Sequence, residues 1–317
     1  MADKNIKCCK KTSIGGQALI EGIMMRGPER TVMAVRNPSG EIVLEECAAG
    51  TAERPKIFKL PIIRGVFGFI DSMKTGYKAL MRSAEIAMPE DEDEEGKPLT
   101  EDEKNKESKL MGIAAAVGGV LGVILSIGLF FYLPTQLFSL LKWAIPSLDN
   151  DIIRSVFEGV FKIILFVGYV GLMCLVKDVR RTFEYHGAEH KTIFCYEAGL
   201  PLTVENIRGQ HRFHPRCGTS FMILMLLVGI IIGMFIHVDN VLLRTGIKLL
   251  LLPLTMGIGY ELIKFCGRHD NILTRIIAAP GMWLQRITVH EPDDGMIECA
   301  IAAMEAVIPE NKDTDNF

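Results

Sequence analysis

Four of the chain's seven histidines fall between residues 186 and 214, in two short motifs. The first is Glu184-Tyr185-His186-Gly187-Ala188-Glu189-His190-Lys191; the second is His211-Arg212-Phe213-His214-Pro215-Arg216-Cys217-Gly218. Neutral imidazole and thiolate are borderline-to-soft ligands, and mixed His/Cys sets favour zinc over magnesium or calcium. The expected ligand set is therefore His186, His190, His214 and Cys217 around a divalent metal, with zinc favoured. His211 is left outside that set, and Glu197 and Glu205 are alternative carboxylate ligands. On a helix, His186 and His190 stand four apart on one face and can share one ion. His-x-x-Glu-His is also the order of the inverzincin motif, in which the glutamate activates a metal-held water. That makes Glu189 the candidate general base, with Arg216 or Arg26 as stabiliser of a developing oxyanion. Four closed ligands would describe a structural site and three plus water a catalytic one. The competing reading has the histidines cap helices and meet lipid phosphates, with Arg181, Arg212 and Arg216 as paired donors.

The elements around these motifs are those of a membrane protein. Hydrophobic residues make up 49% of the chain and are gathered in long runs. A hydrocarbon layer of ~30 Å asks for ~20 apolar residues per helix. Residues 110–133, 152–176, 219–236 and 241–265 meet that requirement. The expected fold class is mainly α, a polytopic helical bundle of about four spans with a small N-terminal β-containing cytoplasmic domain. Lys and Arg concentrate between Lys177 and Gly218, whereas residues 134–151 carry only Lys142. This asymmetry places the histidine-rich loop and both termini on the cytoplasmic side of the cell membrane. Arg244 and Lys248 are awkward for it, and either snorkel or face the bundle interior. The eight cysteines are scattered, which suits a reducing compartment rather than a disulfide framework.

Residues 1–57 read as the small β-containing domain. Thr31–Arg36 and Glu41–Glu45 are strand candidates around an Asn37-Pro38-Ser39-Gly40 turn, after a short apolar piece from Ala18 to Met25. Residues 58–88 repeat apolar positions at three and four among Arg64, Lys74, Lys78 and Arg82, as an amphipathic interfacial helix would. Residues 89–109 form an acidic linker with almost no apolar content to order it. The bundle spans 110–265 and includes the cytoplasmic loop 177–218; residues 266–317 form a cytoplasmic C-terminal segment. Pro134 and Pro146 bracket a stretch too short to cross by itself. The spans show neither paired buried charges nor a clear internal repeat, so a transporter ranks low.

The chain resembles the YqhQ family of bacterial membrane proteins, whose members are described as predicted metal-dependent enzymes. The likeness rests on Gly15-Gly16-Gln17-Ala18-Leu19-Ile20-Glu21-Gly22-Ile23-Met24-Met25-Arg26-Gly27-Pro28, His186-Gly187-Ala188-Glu189-His190-Lys191-Thr192, His214-Pro215-Arg216-Cys217-Gly218-Thr219-Ser220-Phe221 and Pro280-Gly281-Met282-Trp283-Leu284-Gln285. It implies that the N-terminal motif belongs with the histidine loop, with Gln17, Glu21 and Arg26 approaching the metal. The expected function is a metal-dependent hydrolase acting on a membrane-proximal peptide or lipid. The alternative is a non-catalytic scaffold or assembly factor with a structural metal site or polar network. Expected partners are the bilayer and other membrane proteins, not nucleic acid.

Overall fold

The computed structural model describes residues 11–49, 58, 60–88, 101–148, 150–311 and 314–315. Residues 89–100 of the expected acidic linker lie outside them. The chain forms two compact units. One comprises Met1–Met88, Val167–Met225 and Met256–Phe317; the other comprises Pro89–Phe166 and Leu226–Thr255.

The first unit is built on a four-stranded antiparallel sheet of order β1-β2-β3-β4: β1 Gly15–Leu19, β2 Gly22–Arg26, β3 Arg30–Arg36 and β4 Ile42–Ala49. The β3–β4 hairpin forms where the turn signal predicts it. Asn37 Oδ1 accepts the Glu41 N–H at 2.8 Å, and Gly40 takes the positive φ of 87°. The β1–β2 hairpin is hidden in the sequence, because Ala18 to Met25 reads as one apolar piece. A two-residue turn at Ile20-Glu21 divides it, with Glu21 at φ 50°.

Strand alternation then sorts the sheet residues into two faces. Ile23, Met25, Val32 and Ala34 pack with Tyr185, Ala188 and Ile193 of α5 (Lys177–Glu197) and with Met296, Ala300 and Met304 of α11 (Asp294–Val307). Leu19, Met24, Met33 and Val35 pack with Ala79 of α1 (Ile63–Ala87) on the opposite face. α1 meets the unit through its small residues, Gly65, Gly76, Ala79 and Ser83. Its large apolar residues, Phe67, Ile70, Met73 and Tyr77, are left exposed. Further on, α10 (Ile272–Thr288) starts in a capping box made by Asn271 and Thr274.

The second unit contains α2 (Glu101–Ile127), which passes through a π-turn at Gly128–Tyr132 into α3 (Leu133–Ala144). Residues 101–109, expected in the irregular linker, are helical; their Glu and Lys residues are strong helix formers. Pro134 does not end the run. It sits in the first turn of α3, just after the π-turn has already shifted the hydrogen-bond ladder. The helical stretch Gly112–Ala144 and α4 (Asp151–Met173) are each long and apolar enough to cross a membrane. α8 (Val241–Leu250) and α9 (Leu252–Arg268), bent by 46°, make a third candidate if they count as one span. The remaining expected span forms α7 (Gly218–Gly233), apolar but only 16 residues long. Among the described residues, two or three candidate spans thus stand where four were expected.

The expectation of no paired buried charges is corrected. Arg154, Glu158 and Arg244 are buried, and Glu158 pairs with Arg154, Arg244 and Lys248. The sequence conceals this because the partners sit on α4 and α8, some 90 positions apart.

Candidate metal centre

α5 supplies most of the candidate site. Its Gly187 weakens the helix in propensity, yet it is where the helix can come closest to the chain after α10. A Cβ at Gly187 would overlap the His290 carbonyl, and the His290 N–H donates to Phe183 O at 3.0 Å. The same helix carries His186 and His190 with ring centroids 4.4 Å apart. α6 (Val204–Arg208) and an irregular segment then lead back to Cys217, immediately before α7.

His186, His190 and Cys217 converge: one ligand atom from each lies within 4.8 Å of the other two. His186 Nε2 and Cys217 Sγ lie 3.2 Å apart. Tetrahedral zinc places its nitrogen and sulfur ligands ~3.3–3.6 Å from one another. The His186–Cys217 edge is therefore already as short as in a loaded site, and the other two edges are no longer than 4.8 Å.

Tautomers follow from the backbone. His186 Nδ1 lies 2.9 Å from the Thr288 carbonyl, and His190 Nδ1 lies 2.6 Å from the Arg212 carbonyl. A carbonyl only accepts, so each Nδ1 must carry the proton. Both imidazoles are thus held with Nε2 as the remaining ligand atom, which is how metal-binding histidines are typically oriented.

Charge reinforces the convergence. Burial alone would push the Cys217 thiol up, but the charges of His186 and His190 and their hydrogen bonds pull it well below its ordinary value. For His186, burial works downward, and the Cys217 thiolate with its hydrogen bond outweighs it, raising the imidazole to about 9. Without a metal the pair is thus an imidazolium–thiolate, and a cation that takes the thiolate would displace the proton on His186 Nε2. Glu189 is buried beside them, and burial raises its carboxyl against the pull of both histidines. The Gly16 backbone N–H donates to this carboxylate, and its Oε2 is without a hydrogen-bond partner.

His214 stands next to the triplet, not in it. Its ring centroid is 5.6 Å from that of His190. Its Nδ1 accepts the Arg216 N–H at 3.3 Å, and its Nε2 lies 3.9 Å from Glu197 Oε2. Burial holds the ring neutral, at about 4. Gln285 fixes the backbone here, accepting from the His214 N–H and donating to the His214 carbonyl. Arg216, expected as an oxyanion stabiliser, pairs with buried Glu197 and donates to the Thr12 carbonyl at 2.7 Å.

Of the three N-terminal residues expected near the site, Glu21 reaches α5, whereas Gln17 and Arg26 lie against α1. Glu21 binds Arg181 (Nη2 to Oε2, 2.7 Å) and accepts from the Tyr185 hydroxyl at 3.2 Å. Gln17 packs against Gly76 of α1. Arg26 lies 3.4 Å from Ser72 Oγ, beside a cavity of about 390 Å³ lined also by Gly15, Gly16, Gln17 and Thr75. The Gly16 backbone, absent from that expectation, meets Glu189 as well.

Sequence reasoning assigned no role to Gln285, Thr288 or the Gly16 amide. Gln285 carried a usable signal, since a lone glutamine inside an apolar helix needs buried partners. A backbone carbonyl such as that of Thr288 leaves no trace in residue identity.

Residues 60–310 match the family described as "Protein of unknown function (DUF1385)". The chain is similar to "Uncharacterized protein YqhQ" of Bacillus subtilis (strain 168), 33% identical over 299 residues, which are 93% of this chain and 92% of that one. No solved structure matches.

Proposed function

This chain belongs to the DUF1385 family, that of YqhQ, and within it we propose a membrane-embedded metal-dependent hydrolase with its centre at His186, His190 and Cys217. The observation that carries the reading is the pair of Nδ1–H donations to Thr288 and Arg212, which leaves two Nε2 atoms and a thiolate facing one point. Three protein ligands leave a fourth position for water or substrate, the arrangement of catalytic rather than structural zinc. Such an ion supplies Lewis-acid polarisation of a carbonyl or phosphoryl oxygen and an acidified water.

The chain's own residues set the rest. Glu189, raised by burial and with one oxygen unpartnered, accepts and returns the proton of the attacking water. The Gly16 amide holds the other side of that carboxyl in place. His214 stays neutral and serves to position the 211–217 segment. The substrate is a peptide or lipid close to the bilayer. α7 and the bent α8–α9 pair would complete four spans, and the basic residues of 177–218 put the centre and both termini on the cytoplasmic side. The outward apolar residues of α1 suit a helix lying along the leaflet.

A second reading is favoured by one observation. Glu197, Arg216, Tyr196, Thr12 and Asp315 form a buried network that ties both chain ends to the histidine loop. A protein built as a scaffold for other membrane machinery would need such bracing.

Metal analysis of the full chain purified in detergent tests both. The hydrolase reading expects one ion per chain, lost in His190→Ala and in Cys217→Ala. Glu189→Gln would keep the ion and lose function in a growth assay; full function in that variant favours the scaffold. Folded wild-type protein that takes up no metal overturns the metal centre.

A further inference from the structure

The cavity beside Arg26 lies on the opposite face of β1 from Glu189. Successive strand residues point to opposite faces of a sheet. Leu19 and Met24 pack towards α1, and Gln17 meets Gly76 of that helix. Gly15, two positions before Gln17, and Arg26, two after Met24, share this face, and the strand register sets them opposite one another. Gly16 faces the other way, where a Cβ would stand 2.9 Å from Glu189 Cδ. The space of about 390 Å³ is thus bounded by β1 and β2 on one side and by Ser72 and Thr75 of α1 on the other. A volume of that order accepts a small ligand or a headgroup.

Its charge is one-sided. Arg26 is half-buried, and none of the residues lining the cavity is acidic. Other arginines of the first unit hold a carboxylate each: Arg36 pairs with Glu298, Arg181 with Glu21 and Arg216 with Glu197. Arg26 meets none among the described residues, and its hydrogen bond to Ser72 Oγ is a long 3.4 Å. A guanidinium keeps its proton, so its charge inside a recess calls for an anion from outside. The recess is also kept open. A Cβ at Gly15 would meet nothing within 4 Å, so a larger side chain would fit where the chain carries glycine.

The donors around it indicate the ligand. Ser72 and Thr75 stand three apart on α1 and offer hydroxyls from the wall facing the Arg26 fork. Ser13 also lines the space, but its hydroxyl is engaged by Asp315. A halide makes one contact where the fork offers two. The two coplanar oxygens of a carboxylate are satisfied by the fork alone. A phosphate has further oxygens off that plane, which hydroxyls on a second wall can reach. We infer that the cavity between the β1–β2 hairpin and α1 binds a phosphate group, carried by a phospholipid headgroup or by a soluble phosphate. The headgroup has a physical route to it, since α1 exposes Phe67, Ile70, Met73 and Tyr77, a surface suited to a leaflet. The site needs no ion at His186, His190 and Cys217 and stands whether or not the hydrolase reading does.

The test uses the full chain purified in detergent and unfolded thermally at equal ionic strength. The probes are inorganic phosphate and a soluble short-chain phosphatidylglycerol, with chloride and acetate as comparisons. At saturation at least one phosphate probe should raise Tm by about 2 °C or more over both comparisons. The probe that reaches half its effect at the lower concentration identifies the source. Arg26→Gln removes the fork, and Gly15→Leu fills the cavity while leaving Arg26 in place; each should cut the shift by at least half. Equal Tm with every probe overturns the site. So does an acetate shift as large as that with phosphate, because the recess would then be reading charge alone. A shift undiminished in both variants places the phosphate elsewhere and overturns the site as well. Should one variant fail to fold, the other decides; should both fail, the wild-type comparison of phosphate probes with chloride and acetate decides alone.

Discussion

Gln285 grips the backbone of His214 from both sides: its Oε1 accepts the His214 N–H at 2.8 Å, and its Nε2 donates to the His214 carbonyl at 2.7 Å. The same Nε2 reaches Ser220 Oγ at 3.0 Å. One side chain on α10, 0% exposed, thus joins the turn that precedes Cys217 to the first turn of α7.

Gln285→Ala should therefore cost about 2–4 kcal/mol of stability, because it strands two buried backbone groups at once. Metal uptake should weaken with it, since Cys217 lies three residues beyond His214. Thermal unfolding and metal analysis in detergent check both. A loss under about 1 kcal/mol would mean that water already serves these groups.

Ligand identity separates the structure from the sequence expectation. The sequence groups His214 with His186, His190 and Cys217, whereas the structure turns His214 towards Glu197 and Arg216. His214→Gln should keep its metal and His190→Gln should lose it, both read by metal analysis. Loss from both variants to the same degree would restore the four-ligand set.

Acid should destabilise the first unit through Glu197. Burial alone would raise this carboxyl, but its hydrogen bond with His214, the Arg216 guanidinium and the Thr12 N–H hold it at about 2. A folded value below the ordinary ~4.3 stabilises fully above that value and is lost as pH falls towards 2. The contribution at neutral pH is about 3 kcal/mol. His214, held at about 4, acts with the same sign: it gains no proton in the folded state until well below its ordinary value. Unfolding free energy measured from pH 7 to 2 should fall through this window. In Glu197→Gln it should start lower and fall less.

Much of the candidate site was legible as spacing. His186 and His190 at four residues share a helix face whatever surrounds them, and Cys217 follows a proline-containing turn. The position of His214 was not legible, because it depends on Glu197, Arg216 and Gln285, which reach it from separate elements. In the fold, apolar runs located the helices, but length alone misjudged α7. The β1–β2 hairpin was missed because Ala18–Met25 holds no glycine–asparagine turn, and Glu21 adopts the positive φ instead. The buried charges of α4 and α8 were missed for a related reason. Arg154 and Glu158 look like interruptions of α4 until α8 brings Arg244 and Lys248 beside them.

The sheet's inner face is covered by α11, so Ile23 and Met25 share one core with Met296 and Met304, more than 260 positions later. A ribosome must therefore release nearly the whole polypeptide before this face can be closed. Until then the strands present bare aliphatic surface, the kind of nascent intermediate that chaperones shield. A message truncated ahead of Asp294 would yield all seven histidines and every cysteine but Cys299, and still leave that surface uncovered.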